Sequence, residues 1–348
     1  MAVTVSDVAR QAKVSVSTVS RALAHSKLVS QATTHRVEEV AARLGYQPNM
    51  MARSLSTGKT ESLGLVVPDL ENPFFAALAK GIQSHAQRRG YSVLMADTDE
   101  DATMESRLVS QLSARSDGVL VCSPRSSTDE IMTWPTTVPL VLVNRPVQTM
   151  NAVVMDDAGG IRKAVAHLAA LGHMRIAYAG GPLASWSDQT RRRAFHETVS
   201  ALPGAEAIDL GHFQPVYHSG AAAADLVRVS GASAVIGYND LIALSIMQGL
   251  QARGLVIPRD MSVVGIDGIE QSSWSSPPLT TVKAVRRLLA RTSVDVLLDH
   301  EGQPETHVVP VELIVRSSTG EAPFSDRDQD LAYQGLGSRV IVMSGQPG

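Results

Sequence analysis

Two groups of side chains in this chain have types and spacings that can do chemistry, and in both the chemistry is recognition. The first lies at the N-terminus: Thr4, Ser15, Val16, Ser17, Thr18, Ser20 and Arg21. Short hydroxyls and helix-start N–H groups suit phosphate oxygens and fix register on a nucleic acid backbone, the role expected of Thr4, Ser15, Thr18 and Ser20. Arg21 can pair bidentately with a guanine edge, Val16 can touch a thymine methyl, and Ser17 can read either base edge. The second group is a series of carboxylates and amides at the ends of apolar runs: Asp69 and Asn72, Asn144 and Arg145, Asp156 and Asp157, Asn239 and Asp240, and Asp267. Taken singly, each reads first as a loop carboxylate or a helix cap, and Asp240 in particular suits a cap. Their recurrence after many strands points to a shared cleft, where carboxylates and amides suit paired hydroxyls.

Elements must hold these groups in place. Thr4 and Asp7 make a T-x-x-D helix start, in which the hydroxyl can accept from the N–H three residues on and the carboxylate faces the positive helix end. Val8 and Ala12 form its apolar stripe, and Lys13-Val14 breaks the run. Ser15 caps a second helix, Val16 to Ala24, with Val19 and Leu23 inward and Val16, Ser17, Ser20 and Arg21 outward. Ser30 caps a third, Gln31 to Leu44, which Gly45 stops. Two short helices joined by a tight turn, the second exposing polar groups on its first turns, read as a helix-turn-helix that reads base edges, the alternative for this stretch alone being an ordinary amphipathic helix pair.

After Thr60 the pattern becomes alternating strands and helices. Apolar runs begin at Leu63, Ser92, Gly118 and Leu140, with amphipathic stretches near 74–89 and 104–114. A second series begins at Arg175, Ala234 and Ser262, with helices near 158–171, 189–201, 219–230 and 240–253. Such alternation implies parallel sheets with right-handed crossovers. Two series imply two doubly wound lobes, whose ligands bind at the carboxyl ends of the strands.

The formal charge of −3 hides an asymmetry. Residues 1–60 hold eight Lys/Arg and three acids, a net +5, which leaves −8 on the remainder. A basic head on an acidic body fits a polyanionic partner for the head alone. Cys122, the only cysteine, lies in an apolar run and reads as a buried strand thiol, so no internal disulfide is expected. The N-terminus has no apolar signal region and no window approaches a membrane span, so a cytoplasmic location is expected. Catalysis finds no support: there is no G-x-S-x-G elbow, no metal-spaced His/Cys cluster among the ten histidines, and Gly58-Lys59-Thr60 lacks the first glycine of a phosphate loop. Neither an enzyme, nor a metal, nor a cofactor is expected.

The motifs run in a colinear series. YxPNxxARSL spans Tyr46 to Leu55, DxxNPFF Asp69 to Phe75, and LGHxRIAY Leu171 to Tyr178. Asn239-Asp240 follows, then Ile257 to Asp267 as VPxDxSVVGxD with Ile257 for valine, PPLTTV from Pro277 to Val282, and ELIVRSST from Glu312 to Thr319. Over about residues 3–320 the chain resembles the lactose/galactose-repressor (LacI/GalR) family of bacterial transcription regulators.

The resemblance implies an α/β architecture: a helix-turn-helix head over 1–47, a hinge helix and linker over 48–60, and a two-lobed, periplasmic-binding-protein-like body over 61–320. Lobe one would take about 61–156 plus 284–310, and lobe two about 157–282 plus 311–320, with three crossings between them. It implies major-groove reading by Val16, Ser17 and Arg21, and a hinge with Asn49, Ala52 and Leu55 in which Leu55 wedges into the minor groove. Lys13 stands where the family often has glycine.

In the body, Asp156, Asn239 and Asp267 match the family's polar effector contacts. Arg191, four residues before Phe195, matches R-x-x-G-F with Ala194 for glycine. Phe74 and Phe213 are candidate aromatic contacts, with Trp186 and Trp274 as further walls, and each reads equally as partial core. This set favours a neutral sugar or related polyol. The whole implies an effector-controlled repressor that binds a palindromic operator as a homodimer. The tail, 321–348, has no heptad seam, so a dimer rather than a tetramer is expected. The alternatives are a sugar-binding transport protein or an enzyme of the same two-lobed fold, and residues 1–57 speak against both.

Overall fold

The computed structural model describes residues 3–23, 28–46, 58–217 and 220–323. The N-terminal head consists of α1 (Val5–Ala12), α2 (Val16–Leu23) and α3 (Gln31–Leu44). The carboxylate of Asp7 accepts from the Thr4 backbone N–H at 3.0 Å and from its hydroxyl at 2.7 Å, so the hydroxyl donates to the carboxylate in this start signal. Ser15 accepts from Thr18 N at 3.1 Å, and Ser30 caps α3 through Thr33 N. Gly45, at φ 66°, ends α3. Val8, Val19, Ala22, Val37, Val40 and Ala41 meet in a small core that holds the three helices together.

Lys13 closes α1 in the left-handed region, φ 56° and ψ 44°, with its N–H on Ala9 O. The turn therefore keeps its shape without glycine and carries the Cβ strain instead.

The body is built on two six-stranded sheets. In the first, β1 (Ser62–Val67), β2 (Ser92–Asp97), β3 (Val119–Cys122), β4 (Leu140–Val143), β5 (Asn151–Met155) and β11 (Thr306–Val309) run parallel in the order β11-β5-β4-β3-β1-β2. Helices α4 (Pro73–Arg88) and α12 (Arg286–Asp299) pair against it, as does α5 (Ala102–Ser113); the short α6 (Thr128–Met132) lies between β3 and β4. The two-residue period of β1 sends Leu63, Leu65 and Val67 into one core and Val66 into the other. Gly64 is required where α5 crosses, since a Cβ there would lie 2.9 Å from that of Leu112.

The second sheet has the order β12-β10-β9-β8-β6-β7. Its strands are β6 (Arg175–Gly180), β7 (Glu206–His212), β8 (Ala234–Gly237), β9 (Ser262–Asp267), β10 (Thr280–Ala284) and β12 (Val311–Ile314), the last antiparallel to β10. Helices α7 (Asp157–Ala170) and α8 (Trp186–Ser200) pair with each other, as do α9 (Gly220–Ser230) and α10 (Asp240–Ala252); α11 (Gln271–Trp274) is a single turn.

The chain passes between the sheets three times, each time through one residue: Asp156 between β5 and α7, Val285 between β10 and α12, and Pro310 between β11 and β12. Asp156 (φ −73°, ψ 69°) and Val285 (φ −76°, ψ 73°) have nearly the same backbone kink, that of an inverse γ-turn. Cys122 is buried in β3, and burial pushes its thiol up to about 12. Among the described residues no helix is long and apolar enough to cross a membrane.

The strained Lys13 gives a test. Lys13→Gly is expected to stabilise the head by about 0.5–1 kcal/mol, the left-handed penalty less the extra entropy of glycine. Hydrogen exchange of the α1 and α3 amides in the full-length protein reads this; weaker protection in the variant would contradict it.

Candidate functional site

The head presents one polar face. Val16 is 44% exposed, and Ser17, Ser20 and Arg21 are exposed beside it on α2, while Val19 and Ala22 face the core. No hydrogen bond or ion pair ties Arg21 to the described residues, so its guanidinium can turn outward. The Ser15 hydroxyl lies 2.8 Å from both the Ser17 and Thr18 hydroxyls, which orders the start of the helix. Thr4 begins α1. The structure thus gathers Ser15, Val16, Ser17, Thr18, Ser20 and Arg21 on one helix. Asn49, Ala52 and Leu55 lie outside the described residues.

In the body, the carboxyl ends of both sheets meet around a narrow cavity of about 20 Å³. From the first sheet it is lined by Asn72, Phe74 and Phe75 at the start of α4, Ser123 and Arg125 after β3, Asn144 after β4, and Met155. From the second come Ser187 and Arg191 of α8, Pro215, Tyr238 and Asn239 after β8, and Asp267 at the end of β9. Four of the six sequence candidates are brought together here: Phe74, Arg191, Asn239 and Asp267.

Two are not. Asp156 caps α7, its carboxylate accepting from Gly159 N at 2.8 Å; a Cβ on Gly159 would collide with it. Its neighbour Asp157 reaches Arg191 instead. Phe213 packs half-buried on the core of lobe two, with its N–H on Gly180 O, and does not line the cavity. Trp274 is 70% exposed in a separate hollow with Tyr217 and Met247, and Trp186 begins α8 half-buried.

Arg191 organises the second-lobe wall. It is 3% exposed; its Nε donates to Asp157 Oδ1 at 2.8 Å and its Nη1 to the Tyr238 carbonyl at 2.6 Å. Its guanidinium lies 4.9 Å from the centre of the Tyr238 ring, a cation–π contact. Burial works against the charge, but Asp157, Tyr238 and Asp267 outweigh it and hold the group above its ordinary value. Gly181 makes room for the ring, since a Cβ there would meet it at 2.6 Å.

Arg125 and Tyr238 were not singled out by sequence. Arg125 is buried, with Nη2 to Glu100 Oε1 at 2.8 Å and Nη1 to Ser123 O at 2.9 Å. Glu105 accepts from the backbone N–H groups of Arg125 (2.6 Å) and Ser126 (3.0 Å). The available signal was position: Arg125 follows β3 and Tyr238 follows β8, at the same carboxyl ends as the other polar groups.

Asp267 differs from its neighbours. It is buried at φ 116°, and its carboxylate has no hydrogen bond among the described residues. Arg286 donates to the carbonyls of Asp267 and Gly268, at 3.4 and 3.0 Å, from the first turn of α12. Burial pushes the Asp267 carboxyl well above the usual carboxylate range; Arg191 and Arg286 pull it down, and Asp240 and Asp157 push it up. Asp240 is also raised, to about 7, by burial, although Thr281 and Ile269 donate to it at 2.5 and 2.8 Å.

Comparison with known proteins follows the same lines. A family model described as bacterial regulatory proteins, lacI family, matches residues 4–49, and one for a periplasmic binding protein-like domain matches residues 165–319. The HTH-type transcriptional repressor PurR of Aliivibrio fischeri (strain MJ11) is 31% identical over 334 residues, covering 90% of this chain and 98% of its own. The chain belongs to the lacI family.

The structure of the Lac repressor dimer bound to operator and the anti-inducer ONPF superposes with a TM-score of 0.82 at 31% identity, covering 92% of this chain and 100% of that one. A complex of the transcriptional regulator CelR with cellobiose gives 0.67 at 30% identity, with 91% and 99% covered. This lacI-family protein is therefore a DNA-binding transcription regulator with an effector-binding body, and not an enzyme.

The buried Asp267 makes a pH-dependent prediction. Its folded-state pKa is raised, so the proton it keeps stabilises the fold below the ordinary carboxylate range. That contribution is lost as pH rises toward the folded value. Asp267→Asn removes the loss, and asparagine tolerates positive φ. The effector-free variant is expected to melt about 2–4 °C above the parent at pH 8. The gap should shrink toward pH 5; an equal or lower melting temperature at pH 8 would count against a buried, underpaired carboxylate.

Proposed function

We propose that this protein is a cytoplasmic repressor that binds a palindromic operator as a homodimer and is switched by a small neutral polyol, a sugar, held between its lobes. The domain division that goes with this reading is 1–47 for the head, 48–60 for the hinge and 61–320 for the body, with 321–348 as a C-terminal tail.

The observation that carries the effector class is the charge pairing of the cavity. Its buried guanidinia already have carboxylate partners, Arg191 with Asp157 and Arg125 with Glu100. What remains for a ligand is Asp267, the hydroxyls of Ser123 and Ser187, and the N–H groups of the Asn144 and Asn239 amides, whose oxygens already accept from Met155 N and Ile242 N, a set for paired hydroxyls beside the rings of Phe74 and Tyr238. A doubly charged anion would meet no unpaired cation there. The cellobiose complex of a relative with the same fold supports the same class.

In this reading Val16, Ser17 and Arg21 read base edges, Thr4, Ser15, Thr18 and Ser20 take phosphates, and Asn49, Ala52 and Leu55 act in the minor groove. Arg21→Ala is expected to lose about 1–3 kcal/mol per half-site on operator and less on scrambled DNA at the same salt. Equal losses on both would reduce Arg21 to a phosphate contact.

The switch is tested by operator affinity with and without a ligand found by thermal-shift screening of sugars and nucleosides. Asp267→Ala is expected to keep operator binding and lose the ligand response, since a ligand shifts populations only through unequal affinity for the two states. A variant that still binds ligand and responds like the parent would remove Asp267 from the grip.

A further inference from the structure

Far from the cavity, at the outer edge of the first sheet, three side chains converge that the sequence reading left scattered. His300 ends α12, Glu305 precedes β11, and His307 lies on β11. One ligand atom from each lies within 4.8 Å of the others. The loop 300–305 doubles back through Gly302, at φ 129°, a backbone angle that an L side chain resists. It is this reversal that brings the end of the helix against the edge strand.

The details suit a metal better than an ion pair. Nε2 of His307 is shielded from solvent and has no hydrogen-bond partner among the described residues; Glu305 Oε2 stands 3.9 Å away, too far for a hydrogen bond. His300 Nε2 donates to the Gln303 carbonyl at 2.9 Å, which fixes the ring's orientation. Metal-binding imidazoles are commonly held by a backbone carbonyl in this way. Beside the cluster an open hollow, lined by Arg291, Thr292, Asp295, Asp299, His300 and His307, gives a path from solvent.

We propose that His300, Glu305 and His307 form a binding site for a divalent transition metal of zinc type. Two imidazoles and one carboxylate are a ligand set for Zn²⁺, with water in the fourth position. Hard cations are disfavoured, because Mg²⁺ and Ca²⁺ take oxygen ligands. Closing the site to zinc bond lengths needs each side chain to move by about an ångström, which the exposed Glu305 and two half-buried imidazoles at the ends of a short loop can supply. The bound ion would tie the end of α12 to β11. That segment is bounded by Val285 and Pro310, so the metal would brace a part of lobe one attached to lobe two at both ends.

The experiment is titration of untagged, effector-free, full-length protein with Zn²⁺ by calorimetry, with Co²⁺ as a spectroscopic probe. One Zn²⁺ per chain is expected, with a raised melting temperature, tetrahedral Co²⁺ bands, and no response to Mg²⁺. His307→Ala and His300→Ala should each weaken Zn²⁺ binding by at least about tenfold and abolish the Co²⁺ bands. Glu301→Gln, in the same loop but outside the cluster, should bind like the parent. Neither imidazole belongs to the hydrophobic core, so metal-free melting of all three variants should stay close to the parent. No zinc binding by the parent protein, or binding that both histidine variants retain, overturns the proposal.

Discussion

The cavity depends on keeping the Arg191 guanidinium charged away from water. Breaking a buried ion pair by removing one partner costs about 3–5 kcal/mol, so such a group dictates its surroundings. Here it holds three elements at one point: Asp157 at the start of α7, α8 from which it projects, and the carbonyl that ends β8 at Tyr238. The ring of Tyr238 then lies against it, and Gly181 stays small to admit that ring. Across the cavity Arg125, Glu100 and Glu105 repeat the device in the first lobe. Each wall is neutralised from within, which leaves Asp267 as the group whose charge is least compensated.

Other residues of the recognisable motifs serve the scaffold. His173 is fully buried between Ser233, Ser262 and the Gly320 carbonyl, and burial holds its pKa down. Ser318 donates to Val263 O and accepts from Thr280 N, and Thr319 meets His167 and Thr280. Arg316 ties the Leu279 carbonyl to Ser272. The stretch from Arg316 to Thr319 therefore sews the end of the chain's second passage through lobe two onto β9 and β10.

Much of this was legible because it is local. The caps at Ser15 and Ser30, the stop at Gly45, and the exposed face of α2 follow from residues within a turn of one another. The parallel-sheet architecture follows from the alternation of apolar runs with amphipathic ones. What was missed depends on distance or phase. β7 is an edge strand with polar residues, Glu206 and Asp209, so it lacks the apolar run of a central strand; β5 is short and abuts a helix start. Arg125 has its partner 25 residues earlier, at Glu100, which no periodicity connects. Asp156 and Asp157 are adjacent, yet one caps the helix and the next is swung about 100° around its axis into contact with Arg191. Phe213 reads as a wall by residue type, but its backbone is pinned to Gly180 and the ring is turned to the core.

The single-residue crossings have a mechanical meaning. One residue cannot take up a translation of several ångströms, because its two torsions alter direction without adding reach. Three such joints side by side therefore forbid sliding of one lobe past the other and leave swivelling about a common line. Two of the joints rest in the same backbone well, so an opening motion can turn both through similar torsions without setting one against the other. Pro310, with its φ fixed, is the stiff member of the three. A ligand closing on the cavity would therefore act on these joints through rotation rather than translation. The work of recognition at one end would then arrive at the other as rotation, with little lost to slack in the connections.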